Sequence, residues 1–377
     1  MKATVRFNGL DHLRALAIIA VFFYHYGGGI FGHHPAWLAN VCQFGWSGVD
    51  LFFVLSGHLI GGQLLRMVAE GRRVSIRDFY VQRFLRIMPV YWAVLSLYFI
   101  FPQLIERSHL PPLWRFLTFT QNFGLGEGEG LAFSQVWSLC IEEHFYLVLP
   151  TLIVGFSAWK WRRHWLWLAG LLIALGCALR AYFWLLIQAG QARWYGAIYY
   201  PTYSHLDGLV VGVSIAAIFT FYPEHRARLQ KHSYWVLAGG VAVLYVASVV
   251  IDANQTSLAS TIFGFPLVAV GFGCMVISAL SPNCFLYRLS SPITRMIAIL
   301  SYSIYLIHKI VIFMVQKSAE ILKIDVDGTL MFLLCVLCTF FAAWVLYALV
   351  ERPFLRLREC IYPAGTAKSI PTNPAPA

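Results

Sequence analysis

Arg14 and His25 are ionisable residues placed within the apolar stretch LDHLRALAIIAVFFYHY. They are close to three helical turns apart, so on a helix they project from one face with about 16 Å between them along the axis. A charge inside a membrane helix is unfavourable by several kcal/mol and persists mainly where it faces a protein interior. Other apolar stretches carry Asp50, the adjacent Glu142 and Glu143, Arg180, His205 with Asp207, and His308 with Lys309. An imidazole is suited to general-base chemistry at neutral pH, and a nearby carboxylate can orient it and stabilise its protonated form. This predicts His25 as the base, with Glu142 or Glu143 as its partner. Each group also has a structural reading: a snorkelling arginine, a satisfied interior histidine, interhelical hydrogen bonds from the carboxylates.

The elements that must position these groups follow from composition. Hydrophobic residues make up 59% of the 377 and charged residues 12%, with a mean hydropathy of +0.67, far outside the soluble range. A crossing needs roughly 20 apolar residues. Ten stretches qualify, near 10–28, 45–66, 88–106, 134–156, 164–188, 204–222, 233–251, 258–280, 296–316 and 328–350. No barrel-like alternation is present, so the expected fold is an all-α polytopic bundle of about ten transmembrane helices. The first stretch resembles a signal-peptide core, but its internal Arg14 and His25 and the lack of a small-residue cleavage site make it a retained span. Residues 1–358 form the expected membrane domain, and the Pro- and Ala-rich 359–377 a disordered cytoplasmic tail.

Most of the 28 Lys and Arg fall in alternate loops, including the run Arg66 to Arg86, which puts both termini in the cytoplasm. In that orientation His25, Asp50, Glu142, Glu143, Arg180, His205, Asp207, His308 and Lys309 share the outer half of the membrane. A common pocket is expected there, with Trp137 and Ser138 opening the fourth span beside it. Arg14 lies nearer the basic inner mouth.

The net charge of +11 comes from short clusters between spans, so a nucleic-acid partner is not expected and a lipid bilayer is. Eight scattered cysteines indicate neither a disulfide framework nor a zinc site, and no metal is expected. Arg83 and Arg86 share a face of the amphipathic stretch RRVSIRDFYVQRFLRIMP, with Pro89 suited to the first turn of the third span. Their chemistry fits either anionic headgroups or the phosphates of a nucleotide-containing ligand. Ser138 and Cys140 are potential nucleophiles, although packing accounts for both. The outer loops are rich in Trp and Tyr, as an interfacial aromatic belt would be. A proton-coupled transporter or flippase would also use intramembrane His, Asp and Glu, but needs no phosphate-binding mouth and often shows internal repeats, of which none is evident.

Several segments together resemble acyltransferase family 3, the integral-membrane O-acyltransferases of glycans, Nod factors and macrolides. They are Arg14 and His25 in LDHLRALAIIAVFFYHY, GWSGVDLFFVLSGHLIG around Asp50, QRFLRIMP with Arg83 and Arg86, VWSLCIEEHFY, SHLDGLVVG, SYSIYLIH and ERPF. They occur in the family's order from residue 10 to 354. Three positions depart from its pattern: Gln82 replaces the first of paired arginines, Cys140 a frequent serine, and His205 a common arginine. The resemblance implies an inner-membrane enzyme that transfers an acyl group, usually acetyl, from cytosolic acyl-CoA to a hydroxyl of a carbohydrate or lipid-linked glycan. No tightly bound cofactor is expected. His25 would act as base with Glu142 or Glu143, Arg14, Arg83 and Arg86 would hold the donor, and an acyl-histidine intermediate is the alternative route.

Overall fold

Apolar runs behind a small polar residue become capped helices here. Ser75, Ser257 and Ser291 each accept from the backbone N–H three residues on, at 3.3, 3.1 and 3.3 Å. The computed structural model describes residues 8–27, 34–35, 37–38, 42–107, 109–125, 131–158, 164–253 and 256–363. The helices are α1 (Asn8–Gly27), α2 (Gly48–Ala69), α3 (Ile76–Ile100), α4 (Trp137–Ala158), α5 (Trp165–Gln188), α6 (Asp207–Phe221), α7 (Pro223–Lys231), α8 (Ser233–Ala253), α9 (Leu258–Ala279), α10 (Pro292–Ile321), α11 (Thr329–Leu346) and α12 (Arg352–Ile361). Among the described residues there is no strand, only one bridge between His109 and Leu131. Among the described residues eight helices are long and apolar enough to cross a membrane, or nine if α6 and α7, bent by 109°, count as one span. The chain is a multi-pass helical membrane protein.

Each of the ten expected spans overlaps a helix, but the first, on α1, and the sixth, on α6 alone, are not among the eight that are long and apolar enough to cross, and the third differs in its bounds. The third begins earlier: the amphipathic stretch and the span are one helix, α3, with Pro89 inside it. The Tyr302 hydroxyl donates to the Ile87 carbonyl at 2.9 Å, an example of a neighbouring helix serving the backbone near an intrahelical proline. Near the C-terminus, α12 runs through the expected domain boundary to Ile361. Residues 364–377 of the expected tail, and the loop residues Lys2, Arg6, Lys160, Arg162, Arg163 and Lys368, lie outside the described residues.

Helices come closest where glycines remove the side chain. A Cβ on Gly57 would strike the Leu209 carbonyl, and one on Gly212 the Val54 carbonyl, so α2 and α6 cross almost backbone to backbone. Gly48 meets the Ala17 carbonyl of α1 in the same way. With no hydrophobic drive between helices in lipid, such contact supplies much of the association.

The α2–α6 crossing also predicts sensitivity. Gly212→Val should destabilise the purified protein by about 1–3 kcal/mol through overpacking, whereas Gly239→Ala, which has open space around it, should be neutral or slightly stabilising. Thermal unfolding in detergent separates the two, and an unaltered Gly212→Val protein would refute the close-crossing account.

Candidate active site

A cavity of about 450 Å³ runs between α1, α2, α3, α4 and α10. On α2 its lining extends from Arg66 to Val49, about 25 Å along the helix, most of the thickness of a bilayer core. Arg14, Arg66, Arg83 and Arg86 line one end, and Ser138 and Tyr305 lie towards the other. The arginines converge because α1 and α3 begin at this end and α2 finishes there. Arg14 is half-buried. The Arg83 guanidinium sits over the Tyr146 ring at 5.9 Å.

Glu142 is part of this cavity. Its Oε2 accepts from the Tyr146 hydroxyl at 2.7 Å and from the Ser56 hydroxyl at 3.2 Å. Glu143, about 100° further round the helix, is not in the lining, and its Oε1 is buried without a hydrogen-bond partner among the described residues. Neither carboxylate reaches His25. The reason is helix facing: Glu142 points from α4 towards α2, whereas His25 points from α1 towards α10.

The partner of His25 is His308, with Nδ1 of the first 3.0 Å from Nε2 of the second. His308 Nδ1 lies 2.8 Å from the Tyr305 carbonyl and 3.1 Å from that of Ile304. A carbonyl only accepts, so His308 Nδ1 carries the proton and, in the neutral ring, Nε2 is the acceptor. His25 Nδ1–H must then donate to it. This leaves the lone pair of His25 on Nε2, in a ring that is half-buried. The arrangement can take a proton from a hydroxyl brought to that nitrogen.

Tyr305 links cavity and histidine pair. It is one turn before His308 on α10, with the two rings 6.2 Å apart. Its hydroxyl donates to the Gln135 carbonyl, so the Ser138 hydroxyl, 2.7 Å away, donates to the tyrosine oxygen. Ser138 Oγ therefore has its proton engaged. Lys309, buried beside His308, donates to Ser134 Oγ at 2.8 Å.

The remaining expected pocket residues form closed pairs away from the cavity. Arg180 makes a two-pronged contact with Asp207, at 2.7 and 3.1 Å, and donates to the Ser204 and Ile262 carbonyls. His205 Nε2 meets Asp50 Oδ1 at 2.9 Å while its Nδ1 donates to the Tyr199 carbonyl at 2.7 Å. Trp137 packs over this second pair, 5.3 Å from the His205 ring and 4.9 Å from that of Tyr199. Trp46, Trp194 and Tyr199 are likewise buried, so these aromatics form a packed cluster rather than an interfacial belt, while Trp37 and Trp114 are exposed. Of the expected pocket set, only Ser138 lines the cavity.

Sequence reasoning missed the supports of Glu142, Ser56 and Tyr146, the cavity role of Arg66, and the Tyr305 link. Tyr146 and Tyr305 have local signals, the first four residues after Glu142 in VWSLCIEEHFY and the second three before His308 in SYSIYLIH.

Residues 7–348 match a family described as an acyltransferase domain. The chain is 27% identical to the peptidoglycan O-acetyltransferase OatA of Listeria monocytogenes over 94% of its own length and 57% of the relative's. It is also 27% identical to the putative peptidoglycan O-acetyltransferase YrhL of Bacillus subtilis, covering 92% and 54%, and 23% identical to a putative O-acetyltransferase of Staphylococcus aureus strain COL, covering 92% and 57%. The chain thus spans little more than half the length of these relatives. No solved structure matches it.

The closed ion pairs predict an asymmetry. Asp207→Asn should destabilise the protein by about 3–5 kcal/mol, since it strands a buried guanidinium, whereas replacing both members, as Arg180→Met with Asp207→Leu, should recover much of the loss. Unfolding temperatures in detergent measure both, and a single variant as stable as its parent would contradict the pairing.

Proposed function

As a member of the acyltransferase family 3 domain family, this chain, we propose, transfers an acyl group, most simply acetyl, from acyl-CoA to a hydroxyl of a cell-surface glycan. Peptidoglycan is the acceptor class its named relatives suggest. The observation that carries this reading is the long cavity, ringed by arginines at one end and ending near the histidine pair at the other. Four guanidiniums suit the phosphates of CoA through charge-assisted, two-pronged hydrogen bonds. The narrow run between them and Tyr305 suits a pantetheine arm. The arginine end faces the cytoplasm with both termini, as the loop charges of an inner-membrane protein imply.

In this scheme His25 Nε2 takes the proton of the acceptor hydroxyl as its oxygen attacks the thioester carbonyl. The carbon–sulfur bond breaks, and the departing thiolate leaves as the CoA thiol after taking the proton back from the imidazolium. His308 is a positioning residue: its acceptor nitrogen keeps the His25 proton on Nδ1 and the lone pair on Nε2. Glu142 shapes the donor cavity by holding Tyr146 and, through it, the Arg83 stack.

Thiol release from acetyl-CoA in the presence of glycan acceptors tests the scheme. His25→Gln should insert normally and lose about 100-fold or more in turnover, the scale of a removed acid–base group. His308→Leu should also lose turnover, but little beyond the loss already caused by His25→Gln when the two are combined. His308→Gln, whose amide oxygen can accept the same hydrogen bond, should retain much more than His308→Leu. A His25→Gln protein turning over normally would remove the histidine from the chemistry.

The donor end is tested separately. Arg83→Ala and Arg86→Ala should raise KM for acetyl-CoA more than KM for the acceptor, each losing a contact of about 1.5–3 kcal/mol. Unchanged donor KM in both would return these arginines to lipid headgroups.

A further inference from the structure

The arginine mouth continues beyond the cavity lining, onto a helix from the far end of the chain. Helix α12 is fastened at both ends. At its start, buried Glu351 accepts from the Ser303 hydroxyl of α10 at 2.8 Å. Just past its end, the Tyr362 hydroxyl donates to Asp78 Oδ1, in the first turn of α3, at 3.1 Å. The helix lies against α3. This seats the half-buried Arg358 guanidinium within electrostatic reach of both Arg83 and Arg86.

The grouping is unusual in its charge. Among the described residues no carboxylate forms an ion pair with Arg83, Arg86 or Arg358, and neighbouring Glu359 is outside pairing distance of Arg358. Glu142 and Glu143 lie within electrostatic reach of Arg83, Glu351 of Arg86 and Glu359 of Arg358, but none is at ion-pair distance, so an anion that meets the three guanidiniums directly is favoured. Arg83 and Arg86 line the cavity, and Arg358, beside them, is not among its lining residues. A CoA thioester entering acyl end first places its pantetheine deepest, its pyrophosphate behind that, and its ribose 3′-phosphate last. An arginine next to the lining pair but outside the cavity matches the phosphate that stays furthest out.

We infer that Arg358 is a donor-specificity residue that binds the ribose 3′-phosphate, so that the protein selects 3′-phosphorylated CoA over its 3′-dephospho counterpart. The inference rests on the arginine-lined cavity being the donor site. The same chemistry would also hold a phospholipid headgroup, and the test separates the two.

Binding of CoA and of 3′-dephospho-CoA is measured by calorimetry on the whole chain in phosphatidylcholine nanodiscs. The parent should bind CoA about tenfold or more tightly than dephospho-CoA, the usual worth of one charge-assisted contact. Arg358→Gln should bind both as weakly as the parent binds dephospho-CoA, Arg358→Lys should keep part of the preference, and Arg83→Gln should weaken both ligands while preserving their ratio. An Arg358→Gln protein that keeps the parent's ratio overturns the inference, as does a parent without preference. If Arg358→Gln instead loses only its binding of a short-chain phosphatidylglycerol added to the same nanodiscs, with the CoA ratio intact, the residue is a lipid-headgroup site and the inference fails. A parent that binds neither nucleotide overturns the donor-site reading itself, and this inference with it.

Discussion

In a hydrocarbon solvent no polar group can be left to water, so every buried donor, acceptor and charge has to find its partner inside the protein. That constraint accounts for most of the specific architecture. Arg180 is fully buried and tolerable because Asp207 and two backbone carbonyls take up donors of both its terminal nitrogens. His205 is held the same way between Asp50 and the Tyr199 carbonyl. Irregular backbone among the helices obeys the rule as well: Asn122 donates to the Tyr200 carbonyl, Tyr91 to that of Phe116, and Glu106 accepts from the Phe133 amide.

Against this background Arg83, Arg86 and Arg358 stand out, because among the described residues none of them is held in an ion pair. Arg83 has an aromatic face beneath it but, among the described residues, no carboxylate at ion-pair distance, and Arg86 and Arg358 share that condition. Arg180 is neutralised by Asp207, whereas Arg83 and Arg86 face a space large enough for a ligand. The contrast separates the residues that hold the fold from those available for binding, even though both sets are buried ionisable groups in apolar helices. Glu142 belongs with the second set, since its partners are hydroxyls and it forms part of the cavity wall.

The histidine pair depends on helix placement in a different way. Its tautomer is dictated by the carbonyls of Ile304 and Tyr305, one turn back on α10, and transmitted across the α1–α10 interface by a single hydrogen bond. A rotation of either helix by a fraction of a turn would break that bond. The small-residue contacts that bring α1, α2 and α6 together thus help define the chemistry available to His25, although none of those residues touches it.

The amino-acid sequence alone determined the helical membrane fold, because apolar runs of crossing length admit no other solution at such low charge. It also determined that Arg14 and His25 share a helix face and that arginines gather at one mouth, since both are properties of local period and of charge between spans. Partnership was decided by tertiary structure. Depth can be read along a helix, but which way a residue faces depends on the neighbours that surround it. Residues of one depth, expected to share a pocket, therefore separated into Asp50 with His205, Arg180 with Asp207, and His25 with His308. Glu142, suited by type to orient an imidazole, instead went to the cavity, because its side of α4 turns to α2. Arg358, remote in sequence from Arg83 and Arg86, reached them only because Glu351 and Tyr362 anchor its helix on α10 and α3.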